Sequence, residues 1–176
     1  YTFAAGNGLQ NDDDSNADGF TNNRFTIAVT AVDHNGVQSW YAEPGANILV
    51  AAPSDGDGEG ITTTDVAGSS GYNEGDVTDS FGGTSSATPL VSGVISLMLE
   101  ANGNLSWRDV QEIIVLTSKK NHISDVSWAS NGAGHLVSHK YGFGVIDAGA
   151  ATSMALNWSN LVPESNSTYG PTTTSL

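Results

Sequence analysis

The sequence reads as a chain of mixed β-strands and α-helices, and three observations carry that reading. The run FTIAVTAV at 25–32 is apolar and β-branched with little alternation, as expected of a central strand buried on both faces. Two shorter runs, YTFAA at 1–5 and ILVAA at 48–52, have strand lengths and end on Gly6-Asn7-Gly8 and Pro53. Helical patterns follow them: an apolar stretch within 84–100, then a segment opened by Ser106-Trp107-Arg108-Asp109, which reads as a capping box. At 176 residues the chain is long enough for one domain with a sizeable core.

Taken in order, 1–5 should be a short buried strand, and the Asn-Gly pair after it reads locally as a plain turn. Its second reading is functional: a strand end can aim the Asn7 amide at a developing oxyanion. An acidic loop follows, NDDDSNADG at 11–19, whose oxygen-rich composition suits a hard cation or a solvated surface. The calcium loop of helix–loop–helix proteins does not fit, because Phe25 stands where a bidentate Glu is required. After the central strand, Asp33-His34-Asn35-Gly36 turns the chain, and His34 is expected to be exposed.

The stretch 54–60, SDGDGEG, reads as a flexible loop with solvated charges; 61–65 and 76–80 read as a hairpin. Gly82 and Gly83 then permit unusual backbone angles before Thr84, Ser85 and Ser86, where a helix begins with unpaired amides. Such amides favour negative charge. Pro89 is expected in the first turn, and Leu90, Val91, Val94, Ile95, Leu97, Met98 and Leu99 surround the helix, predicting burial on all sides. A serine at this point is either a helix cap or a rigidly held nucleophile. Val110, Ile113, Ile114 and Leu116 give the second helix its apolar side. Asp147 should cap a last helix over 148–158, and Ser, Thr, Asn and Pro then mark a linker. Asn104, Asn157 and Asn166 begin glycosylation sequons.

Composition narrows the partners. Nineteen acidic against five basic residues give a formal charge of −14, which argues against nucleic acid and anionic lipid. Charge alone is compatible with calcium, with cationic substrates, or simply with solubility. There is no cysteine, hence no disulfide or thiolate metal site. No apolar run approaches the ~20 residues of a membrane span. The chain opens at Tyr1 with no leader pattern.

Gly83-Thr84-Ser85 with Ala87 and Pro89 resembles the nucleophile motif of subtilisin-like serine proteases. Ala5-Gly6-Asn7-Gly8 through Asp18-Gly19-Phe20-Thr21-Asn22, Trp40-Tyr41-Ala42-Glu43 and the SHKYGFG run from Ser138 are similar to segments of the kexin and furin branch. The resemblance spans about 1–160, read as the C-terminal part of a catalytic domain, with 161–176 a linker that a β-sandwich P (homo B) domain commonly follows.

It implies a three-layer α/β/α fold around a mostly parallel sheet, and peptide hydrolysis through an acyl-enzyme on Ser85 with Asn7 donating to the oxyanion. It implies Ca²⁺ held by Asp13 and Glu43, and a pocket for a basic residue before the cut, walled by Asp18, Ala5 and Gly6. It implies polypeptide substrates and a secreted, extracellular or periplasmic setting. His139 matches a structural segment rather than the base, because the family's Asp and His lie upstream of the oxyanion asparagine; the chain alone should then be inactive. Phe81 replaces a histidine of furin-like members, and Ser15 and Ala17 stand in place of the animal family's cysteines, which suggests a bacterial-type relative. Two other classes stay open: a degenerate subtilase acting as a binding or inhibitory module, and an acidic calcium-binding adhesion domain.

Overall fold

The computed structural model describes residues 1–165. A parallel three-stranded sheet forms its centre, in the order β1 (Thr2–Ala4), β2 (Ile27–Val32), β3 (Ile48–Pro53). Every residue of β2 is buried, as its unalternating apolar run requires. Ile27, Val29 and Ala31 point to one face, where they meet Val50 and Ala52 of β3 and the three helices. Those helices are α1 (Thr84–Ala101), α2 (Trp107–Thr117) and α3 (Ala148–Leu156). Ala87, Val91, Val94 and Met98 of α1 fill the centre of this core, and Ile113, Ile114, Ala151 and Ala155 complete it. A smaller cluster of Val32 and Ala51 with Tyr141, Trp128 and Val145 is built from β2, β3 and the later loops, with Trp128 stacked on Tyr141.

The first strand is shorter and less buried than its sequence suggests. It begins at Thr2, Tyr1 is 94% exposed, and β1 pairs with β2 alone among the described residues. The hairpin appears as β4 (Ile61–Thr64) against β5 (Val77–Phe81), antiparallel, and delivers the chain to the Gly82-Gly83 turn. A second small hairpin, β6 (Ala129–Ser130) with β7 (Leu136–Val137), has no clear sequence signal.

Helix α1 corrects two expectations. It is not buried all round: Leu90, Leu97 and Leu99 are 46%, 53% and 42% exposed. An apolar residue is buried only where a neighbour covers it, and this chain supplies neighbours on one side of α1. Pro89 is the sixth helical residue, in the second turn, so the Ser85 carbonyl lacks its usual i+4 amide partner. The caps follow the sequence: Ser106 and Asp109 form a reciprocal capping box on α2, and Asp147 accepts from the Ala150 N–H at 2.9 Å. Residues just beyond α3 stay on the body, with the Leu161 N–H bonded to Asp109 at 2.8 Å and Arg108 to the Val162 carbonyl at 2.9 Å. The Asn166 sequon and 166–176 of the expected linker lie outside the described residues.

Candidate active site

The turn before α1 is where separate strand ends meet. Gly83 caps the helix at φ 78°, ψ 170°, a conformation that glycine tolerates and L side chains avoid. Thr84 and Ser85 are then the first two helical residues, so Ser85 lies among unpaired helix amides, and it is exposed. Thr84, by contrast, is fully buried.

Thr84 ties this turn to the end of β1. Its backbone N–H and its hydroxyl both donate to Asn7 Oδ1, at 2.9 and 2.8 Å. An amide N–H can only donate, so the atom facing Thr84 is the Asn7 oxygen, and Nδ2 is left as the donor that Thr84 does not use. The Gly6 N–H reaches the Thr84 hydroxyl at 3.3 Å. Ala5 is buried and donates to Val29 at 2.9 Å, anchoring the segment in the sheet. Sequence reasoning missed the part played by Thr84. Its signal was a residue able to hold an amide oxygen next to Ser85, in a turn that must meet Asn7.

The end of β3 holds the same turn from another direction. The Ser54 hydroxyl donates to the Gly83 carbonyl at 2.8 Å, and the Gly83 N–H donates to Asp55 Oδ1 at 2.7 Å. Tyr41 donates its phenol to that same Asp55 oxygen, and burial together with this bond pushes the Tyr41 hydroxyl up in pKa. Asp55 was expected to be one of several solvated charges; its neighbours Asp57 and Glu59 are exposed, but Asp55 itself is half-buried and engaged. Beside it opens a cleft of about 570 Å³ whose lining includes Trp40, Asp55, Asp57, Glu59, Asp79 and Ser80. Four carboxylates make its wall anionic.

The sequence-proposed metal ligands gather on either side of Asn7. The Gly8 N–H donates to Glu43 Oε1 at 2.8 Å. A Cβ added at Gly6 would sit 2.2 Å from Glu43 Oε1, and one at Gly8 would sit 2.1 Å from Asp13 Oδ2. Glycine at both positions therefore lets two carboxylates close on the Gly6-Asn7-Gly8 segment. Their oxygens are donors of the kind a hard cation takes, though they make only part of the six to eight that Ca²⁺ prefers. Among the described residues no group of three or more His, Cys, Asp or Glu could hold a metal.

Asp18 is brought less close. It is exposed, and its Oδ1 accepts from the Phe20 N–H at 2.7 Å. Phe20 stacks on Phe3 of β1, centroids 5.8 Å apart, which ties the acidic loop to the strand that leads to Ala5 and Gly6. The loop is ordered by buried Ser15 and Thr21, both bonded by Asn47 Nδ2 at 3.1 Å.

The histidines have their neighbours elsewhere. His34 is exposed and meets Asn35; His122 bonds Tyr141; His135 lies edge-on to Phe143; and His139 is exposed, its carbonyl accepting from Gly45.

Three comparisons with known proteins bear on this arrangement. Residues 1–144 match the model of the subtilase family (Peptidase_S8). Furin of Homo sapiens is 40% identical over 166 residues, 93% of this chain and 20% of furin. The proprotein convertase subtilisin/kexin type 6 of Homo sapiens is 42% identical over 160 residues, 90% of this chain and 16% of that protein. A serine protease of Aeromonas sobria superposes with a TM-score of 0.86 at 26% identity, covering 93% of this chain and 38% of its own. The chain thus spans about a fifth of the length of the curated relatives it matches.

Proposed function

The chain belongs to the subtilase family, and from that premise we propose that it supplies the nucleophile and oxyanion side of a serine endopeptidase. Ser85 Oγ attacks the carbonyl carbon of a peptide bond, and its proton passes to a histidine carried by the remainder of the enzyme. That base hands the proton to the departing amine. Water then cleaves the Ser85 ester by the same route in reverse. Asn7 Nδ2 and the first amides of α1 take the negative charge that develops on the carbonyl oxygen.

One observation carries this reading: the pair of hydrogen bonds that Thr84 donates to Asn7 Oδ1, which fixes the orientation of the amide next to Ser85. The uncovered apolar side of α1, with Leu90 and Leu97, and the outer edge of β1 are the surfaces on which the rest of the catalytic domain packs. Asp13 and Glu43 would hold a calcium ion together with oxygens from elsewhere, and its positive charge would let the two carboxylates lie beside Asn7. The protein works in a secreted, extracellular or periplasmic setting, with a P (homo B) domain following its linker.

The substrates are polypeptides with Arg or Lys before the cut. Asp18 offers the compensating charge, and the anionic cleft beside Asp55 adds attraction for cationic peptides, weakened by salt. The test is a peptide-library profile of the intact enzyme. Ser85→Ala should lower kcat by several orders of magnitude, and Asp18→Asn should lower kcat/KM for Arg and Lys while sparing neutral residues. A wild-type enzyme that prefers large apolar residues before the cut would refute the basic preference. Full activity in Ser85→Ala would refute the nucleophile.

A further inference from the structure

We propose that Asp55 is a positioning residue for the nucleophile, an inference that rests on Ser85 acting as proposed above. Ser54 and Asp55, consecutive residues at the end of β3, grip Gly83 by both of its peptide groups. The Ser54 hydroxyl donates to the Gly83 carbonyl at 2.8 Å, while Asp55 Oδ1 accepts the Gly83 N–H at 2.7 Å. Gly83 stands two residues before Ser85 in a conformation reserved for glycine, which a free chain would populate only in part. An external clamp is what turns that one conformer into a fixed one.

The space for the carboxylate is built into the sequence. A Cβ at Gly82 would lie 2.1 Å from both Cγ and Oδ1 of Asp55, so Gly82 is small because Asp55 occupies the position a side chain would need. The carboxylate is itself oriented by the Tyr41 phenol, and its backbone carbonyl takes the buried Ser39 hydroxyl at 2.8 Å. Ser54 Oγ further meets Ser86 Oγ at 2.6 Å, so the clamp reaches both sides of Ser85. Asp55 touches no reacting atom in this arrangement. It sets the direction from which Ser85 Oγ approaches the carbonyl, and a misplacement of an ångström at that point can cost on the order of 100-fold.

The experiment uses the intact enzyme and two readouts: peptide hydrolysis, and the rate at which a fluorophosphonate probe labels it, with the modified residue mapped by mass spectrometry. The variants are Asp55→Ala, Asp55→Asn and Tyr41→Phe, each with its melting temperature measured. Asp55→Ala should lower kcat and the labelling rate together by at least tenfold, with KM within about threefold. Asp55→Asn keeps an oxygen for the Gly83 N–H and should recover most of the loss; Tyr41→Phe should cost less than Asp55→Ala. If Asp55→Ala does not fold, the inference stands or falls on the other two: Asp55→Asn must stay within about threefold of wild type. Wild-type labelling on Ser85 with an undiminished Asp55→Ala overturns the positioning role alone. So does a loss that appears in KM, or a Tyr41→Phe worse than both Asp55 variants. A wild-type enzyme that cleaves peptides but is labelled at another residue overturns the nucleophile reading, and the positioning role with it.

Discussion

The bond between Thr84 and Asn7 permits a prediction whose size follows from the structure. Thr84→Val keeps the shape of the side chain and the backbone N–H at 2.9 Å from Asn7 Oδ1, but removes the hydroxyl bond at 2.8 Å, along with the longer bond from the Gly6 N–H at 3.3 Å. A neutral hydrogen bond contributes about 0.5–1.5 kcal/mol net, and each 1.36 kcal/mol is tenfold in rate, so kcat should fall about two- to twelvefold. Asn7→Ala removes the proposed donor itself and should cost roughly 100- to 1,000-fold in kcat with little change in KM. That larger figure comes from a member of this same family and is not worked from the present structure. If Thr84 acts through Asn7, the two losses cannot add: the double variant should be no slower than Asn7→Ala alone. The assay is steady-state hydrolysis of one peptide by the four proteins of the cycle. Thr84→Val that slows Asn7→Ala by the same factor as it slows wild type would refute the argument, because Thr84 would then act on something other than the amide.

Two further predictions concern stability. Chelation of calcium should lower the melting temperature of the intact protein, and Asp13→Asn should blunt that response; an unchanged melting temperature and activity in chelator would remove Asp13 and Glu43 from the metal assignment. The second concerns acid. Burial of Asp109 opposes its ionisation, but bonds from the Leu161 N–H, Ser106 and Trp158 outweigh it and hold the carboxyl well below the usual range; Ser127, Lys140 and Tyr141 do the same for Asp125. A depressed folded pKa gives stability that is whole above the unfolded value, about 4, and is lost as pH falls from there toward the folded value. The melting temperature should accordingly hold at mildly acid pH and drop below about 4, with a shallower drop in Asp109→Asn; equal slopes in both proteins would count against it.

Much of this was legible in the sequence where a local rule and a packing demand coincide. The run at β2 reads as a central strand because burial on both faces leaves no room for alternation, and Asp147 reads as a cap because its carboxylate needs only the amides three residues on. The exposed side of α1 was illegible for a different reason. Leu90 and Leu97 record that a surface is apolar, and burial depends on what covers it, which no local pattern states. Asp55 was hidden likewise. In SDGDGEG it is one acid among three, and only the fold reveals that this one faces Gly83, 28 residues later, while Asp57 and Glu59 face outward.

Thr84 and Asp55 share a logic that accounts for both. The nucleophile proposed here, Ser85, must be exposed to meet its substrate, so it cannot be fixed by burying its own side chain. The fixing falls to the residues before it: Gly83 is held by the end of β3, Thr84 by the end of β1, and Val91 and Met98 sink the following turns into the core. Two parallel strands on opposite sides of β2 give two independent anchor points for one turn. Their distances are set by the sheet rather than by flexible side chains. The missing i+4 bond at the Ser85 carbonyl, caused by Pro89, makes those anchors more necessary, because the first turn of α1 is less constrained from its own helix. A loss of either anchor should therefore act on Ser85 reactivity before it acts on folding.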